Sequence, residues 1–508
     1  MGLFVRKVRT ASGATAVQIA HTRRGVQTIV EHIGSAHSDA ALAALGQVAE
    51  AKIQGGQGTF DLDALTPPAG AARPVGGSPV IVASRARILW DVLSEAYERV
   101  GFGAVGDEAF RHLVLARLIE PTSKADTVRV LGELGVPAAP SLRTIWRTLA
   151  KCVKEDWRDA ACRAAYAHAT AGGAVALVMY DLTTLYFEAE NEDALRRVGM
   201  SKERRVDPQI TVGLLVTPTG FPLEIHCFEG NKAETRTLIP VLEAFQERHG
   251  VRDLVVVADA GMLSAANLNA LEDAGFRFIV GSRITKAPYD LAEHFQAHGD
   301  HFQDGSTLES ARVMGAGKAA RERRVVYHYS FTRKKRDNYT LNKQIERAEH
   351  IADGTRPAKK DRFVKLEDAK PGVDWALVER ARKLLGLKGY VTNIPAGTLD
   401  GHGVVAAYHD LYQVERSFRM AKSDLKARPM FHHERDSIEA HLTVVFCALA
   451  IARHLQQATG ASIQKIIRTL RPLRTDTIEI SGQLLEATTP PGPDAREILD
   501  SLAPKTAH

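Results

Sequence analysis

Three acidic residues stand where an acid can do chemistry: Asp181 at the end of AVALVMYD, Asp259 at the end of LVVVAD, and Glu415 within YHDLYQVERSFRMAKSDLKARP. Each aspartate closes an apolar run of buried-strand type, and ligands of open α/β sheets gather at the carboxyl ends of strands. An ionised acid in that position needs water, a cation or a hydrogen-bond donor, so metal ligation and helix N-capping are both open for it. Glu415, Arg419 and Lys422 follow at i, i+4 and i+7, which places them on one helical face over two turns. On spacing alone that face also reads as a salt-bridged surface.

The elements that must position these acids can be read from the pattern around them. AVALVMYD, QITVGLLVT and FPLEIHCFE read as three strands, the last two joined by the turn PTG. A helix over 233–248, the strand DLVVVAD, a helix over 264–274 and the strand FRFIVGSRI follow, which together make a mixed α/β sheet. The strand KGYVTNI and a long helix from about Ala406 resume this pattern after more than 100 residues of basic strand-and-helix material. The predicted organisation is a small α+β domain over 1–65, a Pro- and Gly-rich linker over 66–80 and a helical region over 81–170. A core over 171–284 and 388–460 is interrupted by a basic insertion over 285–387, and a tail covers 461–508. Within the helical region, SLRTIWRTLAKC carries a Ser N-cap, Ile145, Leu149 and Cys152 on one face, and Arg143 and Arg147 elsewhere. Such a helix suits a major groove and suits ordinary packing as well.

With 508 residues, 45% hydrophobic and 25% charged, the chain has room for about three domains, and neither disorder nor a fibre fits. The longest uncharged apolar stretch, 442–452, is too short to cross a bilayer, so no membrane partner is expected. The start, MGLFVRKVRT, has no apolar run before a small-residue cleavage site, so a cytoplasmic location is expected. Cys152, Cys162, Cys227 and Cys447 lie far apart without CxxC pairs and read as buried free thiols. The charge is uneven: residues 311–388 hold 21 Lys and Arg against 10 Asp and Glu, while the whole chain carries only +6. A concentrated positive segment suits a polyanion, and a solvated face is the plain alternative. RKKR (Arg333, Lys334, Lys335, Arg336) is suited to tracking phosphates. Tyr327, Tyr329 and Tyr339 lie near it and would either stack on an unpaired base or pack internally. MGAGKAA lacks the Gly and Ser/Thr of a phosphate-binding loop.

Taken together, VMYDLTTLYFE, VVADAGM and YHDLYQVERSFRMAKSDLKARP resemble the DDE transposases of bacterial insertion sequences. More narrowly, they resemble the branch with a Tyr-Arg-Glu-Lys signature and an insertion ahead of the catalytic Glu. The likeness covers about 174–457. Counting outward from Glu415, Tyr408 and Lys422 fall at the signature places, and the Arg place holds Leu411. The resemblance implies a ribonuclease-H-like core in which Asp181, Asp259 and Glu415 converge as catalytic and metal-binding residues. Converging carboxylates repel one another and are stabilised by hard cations, here Mg²⁺ or Mn²⁺. Two such ions about 3.5–4 Å apart would activate a water or a 3′-hydroxyl for in-line attack on a phosphodiester.

The substrate the resemblance implies is DNA: the terminal inverted repeats of a mobile element, then a target duplex. Tyr408 and Lys422 would hold phosphates near the cut, and a homodimer would assemble on the DNA, nucleoid-associated when bound. Two rivals remain, a nuclease of the same fold that does not join strands, and a non-catalytic DNA-binding descendant.

Overall fold

The computed structural model describes residues 3–9, 14–23, 26–36, 38–54, 80–188, 191–199, 207–232, 236–251, 253–262, 264–357, 361–367, 370–428, 430–480 and 483–503. Of the linker expected over 66–80, residues 66–79 lie outside these residues and Val80 begins a strand. Two compact units emerge: one built from 1–92, 133–137 and 464–508, the other from 93–132 and 138–463.

In the first unit, β1 (Leu3–Arg9), β2 (Thr15–Arg23) and β3 (Val26–Ala36) form the antiparallel meander that the sequence suggests. Helix α1 (Asp39–Gln54) closes it, with Val17, Ile19 and Ala49 at the centre of the small core. Strand β4 (Val80–Arg85) precedes α2 (Arg87–Val100).

The second unit continues with α3 (Glu108–Ile119), α4 (Lys124–Glu133), α5 (Leu142–Lys154) and α6 (Trp157–Thr170). Ser141 caps α5 by accepting the Thr144 N–H at 3.2 Å. Ile145, Leu149 and Cys152 are buried, and Arg143 and Arg147 are exposed, as the spacing predicts.

The sheet then builds from β5 (Leu177–Tyr186), β6 (Gln209–Val216) and β7 (Pro222–Glu229), joined in antiparallel register. The turn between β6 and β7 needs Gly220, whose φ of +82° is left-handed. After α7 (Leu238–His249), β8 (Val255–Ala258) pairs parallel with β5; after α8 (Ala265–Asp273), β9 (Arg277–Ser282) pairs parallel with β8. The order β7-β6-β5-β8-β9 is the mixed sheet expected from the strand and helix sequence and is consistent with a ribonuclease-H-like core. The helix expected from 233 begins at Leu238, and 233–235 lie outside the described residues.

Past the short helices α9 (Ala287–Asp290) and α10 (Ala292–His298), the basic segment does not stand apart from this sheet. Strands β10 (Thr307–Met314) and β11 (Arg321–Tyr329) extend it through β14 (Leu387–Thr392), giving eight strands in the order β10-β11-β14-β9-β8-β5-β6-β7. Between β11 and β14, α11 (Phe331–Ala352), β12 (Val364–Glu367), β13 (Lys370–Val373) and α12 (Trp375–Lys383) enclose their own core of Leu341, Ile345, Ala348, Phe363 and Val378.

The long helix expected from Ala406 is two helices, α13 (Gly401–His409) and α14 (Tyr412–Arg419), followed by a π-helical turn Met420–Asp424. α15 (Arg435–Thr459) packs on α3, α5, α6 and β7. It is long and apolar enough to cross a membrane by length and composition, unlike the eleven-residue stretch within it, and its sides are mostly buried in the protein. Cys152, Cys162 and Cys447 are buried free thiols, and Cys227 is half-buried. The tail predicted over 461–508 holds α16 (Ile463–Leu470), β15 (Thr475–Ile480), β16 (Gln483–Thr488) and α17 (Pro493–Leu502), with β15 joining β16 to β4.

Candidate active site

The two aspartates meet through strand register. Tyr180 of β5 is paired with Ala258 of β8, and Ala258 with Val280 of β9. Asp181, Asp259 and Gly281 therefore follow one residue later on three adjacent strands, on one face of the sheet and about 4.8 Å apart from strand to strand. β14 runs antiparallel to β9, with Tyr390 opposite Gly281, so Tyr390 and Lys388 share that face. Helix α13 lies over β8, β9, β10 and β11, and α14 over β5 and β6.

Tyr408 of α13 descends into the middle of this face. Its hydroxyl donates to Asp259 Oδ1 at 3.1 Å, and its ring meets that of Tyr390 at 4.8 Å. The absence of a side chain at Gly281 makes room for it, since a Cβ there would stand 2.7 Å from the Tyr408 hydroxyl and 3.2 Å from the Ala260 nitrogen. Asp259 Oδ1 also accepts the Ala260 N–H at 2.7 Å. One carboxylate oxygen is thus fixed by two donors, and among the described residues Oδ2 has no hydrogen-bond partner. A carboxylate oriented in this way, next to a second carboxylate, suits a hard cation.

Burial, followed by the charge of Asp259 and its hydrogen bond, pushes the Tyr408 phenol well above its ordinary range, with Asp181 adding to the shift. Lys388 brings a cation to the site. Its ammonium lies 4.3 Å from the centre of the Tyr408 ring, and burial together with nearby Arg333 lowers its pKa, while Asp259 and Glu415 act the other way. Asp259 and Glu415 are therefore both near enough to act on one lysine. Glu415 is exposed on α14. Among the described residues, no three His, Cys, Asp or Glu side chains are close enough together to hold a metal ion. The register brings Asp181 and Asp259 side by side, and Glu415 does not complete a ready ligand set with them.

The helix that carries Glu415 is pinned from below. Arg453 of α15 donates to Ser417 Oγ at 2.7 and 3.0 Å and to the Gln413 carbonyl at 2.8 Å, while Ser417 donates to the Gly220 carbonyl at 2.8 Å. The break before α14 falls at Asp410 and Leu411. Tyr408 is therefore on a different helix from Glu415, and Lys422 lies half-buried in the π-helical turn, off the straight two-turn face its spacing suggested. Leu411, in the place of the signature arginine, is buried beside the break, where an apolar side chain packs and a guanidinium would lose its water. Arg419 is exposed at the last position of α14.

The basic segment divides in two. Arg312 is paired with Asp290, Arg321 with Glu272 and Asp273, Arg323 with Glu272, and Arg324 with Glu309, so the arginines of β10 and β11 are spent inside the fold. The first turns of α11 keep their charge outward. Lys335 and Arg336 are exposed, Lys334 lies over the Tyr329 ring, and Arg333 reaches Asp337 at 3.3 Å. Arg333, Arg362 and Lys388 line a cleft of about 350 Å³. Tyr327 and Tyr329 are buried and cannot stack on a base; Tyr339 is exposed beneath Lys343. Lys388, Tyr390, Gly281, Ser417 and Arg453 were not singled out in the sequence, because each gains its role only from a partner brought by another element.

Tyr408→Phe removes one of the two donors on Asp259 and keeps the ring. Outer-shell partners of this kind are worth about 10–100-fold in activity. If these acids carry the DNA cleavage that the sequence resemblance implies, its single-turnover rate should fall by that factor with no loss of thermal stability; an unchanged rate would show that the hydrogen bond does not orient the acid.

Among solved structures, the chain is similar to piggyBac transposase in a synaptic complex with hairpin DNA, determined by cryo-EM. The identity is 11% and the TM-score 0.37, over 74% of this chain and 70% of that one. No curated protein matches the chain. The model of the family described as Transposase DDE domain matches residues 187–451, a span that holds Asp259, Tyr408 and Glu415 and begins six residues after Asp181. That match takes in 265 of the 508 residues, and the chain belongs to the transposase DDE domain family.

Proposed function

We propose that this protein is a DNA transposase that cuts phosphodiester bonds at the ends of a mobile element and joins the freed 3′-hydroxyls to a target duplex. The observation that carries the reading is the in-register placement of Asp181 and Asp259 on one face of the sheet, beneath the helices that bear Tyr408 and Glu415. In this reading Asp181 and Asp259 would hold Mg²⁺ or Mn²⁺, and Glu415 would complete the set. A divalent ion there supplies Lewis acidity and a more acidic bound water or hydroxyl. Tyr408 and the Ala260 N–H keep Asp259 turned outward. Lys388 balances the acids and meets the phosphate charge. Arg333, Lys334, Lys335 and Arg336 would continue a positive path for the strand, and Arg419 at the end of α14 and Lys422 in the π-helical turn would add phosphate contacts. The exposed Arg143 and Arg147 of α5 offer a second contact, to duplex DNA.

Strand transfer is the property that separates this reading from a nuclease. The full-length protein, given Mg²⁺, a duplex carrying the inverted repeat that brackets its reading frame and a supercoiled plasmid, is expected to produce plasmid covalently joined to the repeat. Nicking without joining would favour the nuclease reading. Repeat binding without any strand cleavage would favour the non-catalytic one.

A further inference from the structure

A second cavity, of about 400 Å³, opens between α3, α4, α5, α15 and the segment after the π-helical turn, and neither the family match nor the acids account for it. Its inner wall is built of buried basic side chains. Arg117 of α3 is 7% exposed, Lys124 at the start of α4 is 6% exposed, and His441 of α15 is 5% exposed with its Nδ1 making no hydrogen bond. Among the described residues no carboxylate is paired with Arg117 or Lys124. Burial lowers the pKa of both, and for Lys124 the neighbouring Arg117 lowers it further. Burial also lowers His441, and Lys124 and Arg117 push it in the same direction. Cations this deep persist where a negative charge compensates them, and among the described residues none is paired with them. The N-terminus of α4, capped by Ser123 at 3.0 Å from the Asp126 nitrogen, adds its dipole to the same wall.

The mouth is aromatic. Trp146 of α5 is 47% exposed and Phe431 is 70% exposed, and Trp146 stands edge-on to His432 at 6.4 Å. Large rings left open to water beside buried basic side chains suit a ligand with a negatively charged end and a flat apolar end.

We propose that this cavity binds a nucleotide, its phosphate at Arg117, Lys124 and His441 and its base against Trp146 and Phe431. The nucleotide is either free or part of a DNA strand, and the chemistry is the same in both cases. The site does not use the acidic residues, so it stands or falls separately from the transposase reading.

Calorimetric titration of the full-length protein without metal tests it, with 2′-deoxyadenosine 5′-monophosphate, inorganic phosphate and deoxyadenosine as probes. The monophosphate is expected to bind, inorganic phosphate to bind more weakly, and deoxyadenosine not to bind. Lys124→Met, with its fold checked by circular dichroism, is expected to lose at least about tenfold in affinity for the monophosphate, and Lys124→Arg to retain most of it. Trp146→Ala is expected to retain inorganic phosphate and lose the preference for the monophosphate. A wild-type protein that binds neither phosphate probe, or a Lys124→Met protein that binds the monophosphate as tightly as wild type, overturns the proposal. Competition then separates the sources. Displacement of the monophosphate by single-stranded DNA identifies a nucleotide of the DNA strand, and simultaneous binding of both identifies a free nucleotide.

Discussion

Asp259→Asn is expected to reduce single-turnover cleavage of repeat DNA more than about 100-fold, while repeat binding and thermal stability stay at the wild-type level. The geometry makes this a clean substitution. Both donors on Asp259, the Tyr408 hydroxyl and the Ala260 N–H, bond to the same oxygen, and an asparagine carbonyl accepts both equally well. What disappears is the charge and one hard oxygen donor beside Asp181. Loss of an outer-shell partner already costs about 10–100-fold, so loss of the charge that would face a cation should exceed that range. Cleavage measured on end-labelled duplex, alongside a gel-shift titration, separates chemistry from binding. Wild-type cleavage by the variant would remove Asp259 from the active site.

The second large effect is on stability. Glu224 of β7, 1% exposed, is bonded to Arg248 of α7, with His226 Nε2 at 3.1 Å and His249 Nε2 at 3.6 Å, and Arg248 also bonds Asp159 of α6 at 2.7 Å. Arg248→Leu keeps much of the packing and leaves buried Glu224 without its guanidinium partner. Breaking a buried pair from one side costs about 3–5 kcal/mol, and urea unfolding should show a loss of that size. Burial pushes the Glu224 carboxyl up, but the His226 hydrogen bond, the nearby His249 and Arg248 outweigh that and hold it at about 2, against an ordinary 4.5. A carboxyl held low stabilises the fold fully above pH 4.5, and that contribution is lost as pH falls toward 2. Wild type should therefore lose stability across that window more steeply than Arg248→Leu. Parallel pH profiles for the two proteins would contradict this assignment.

The parts of the site that were legible in the sequence are those that depend on local pattern. Strand β6 is buried at every position, and β8 is an apolar run that leads straight into Asp259, so that acid at a strand end could be recognised before its neighbour was known; Asp181, expected to end its strand, instead lies inside β5, which runs on to Tyr186 because β6 pairs with it past the acid. The exposed and buried faces of α5 followed in the same way from one amphipathic helix. What was hidden depended on partners far away in the chain. The helix break at Asp410 leaves no mark in an uninterrupted helical pattern. It separates Tyr408, which bonds to Asp259, from Ser417, which is tied to Arg453 and Gly220. Net charge misled for the same reason: Arg323 meets Glu272 across 51 residues of sequence, so a charge counted toward a polyanion was already neutralised within the fold. Buried Lys124 and Arg117 gave no signal at all, since a cation in a helix is ordinary until its burial is seen.

The β10–β11 hairpin continues the sheet through β14, and this limits how the molecule could be shortened. Excising it would strip β14 of its outer neighbour and leave a row of unsatisfied amides and carbonyls along an apolar strand, a template for pairing with another copy. A trimmed chain would therefore be driven toward self-association, and the region most variable in appearance from its composition is, in mechanical terms, the guard rail of the sheet.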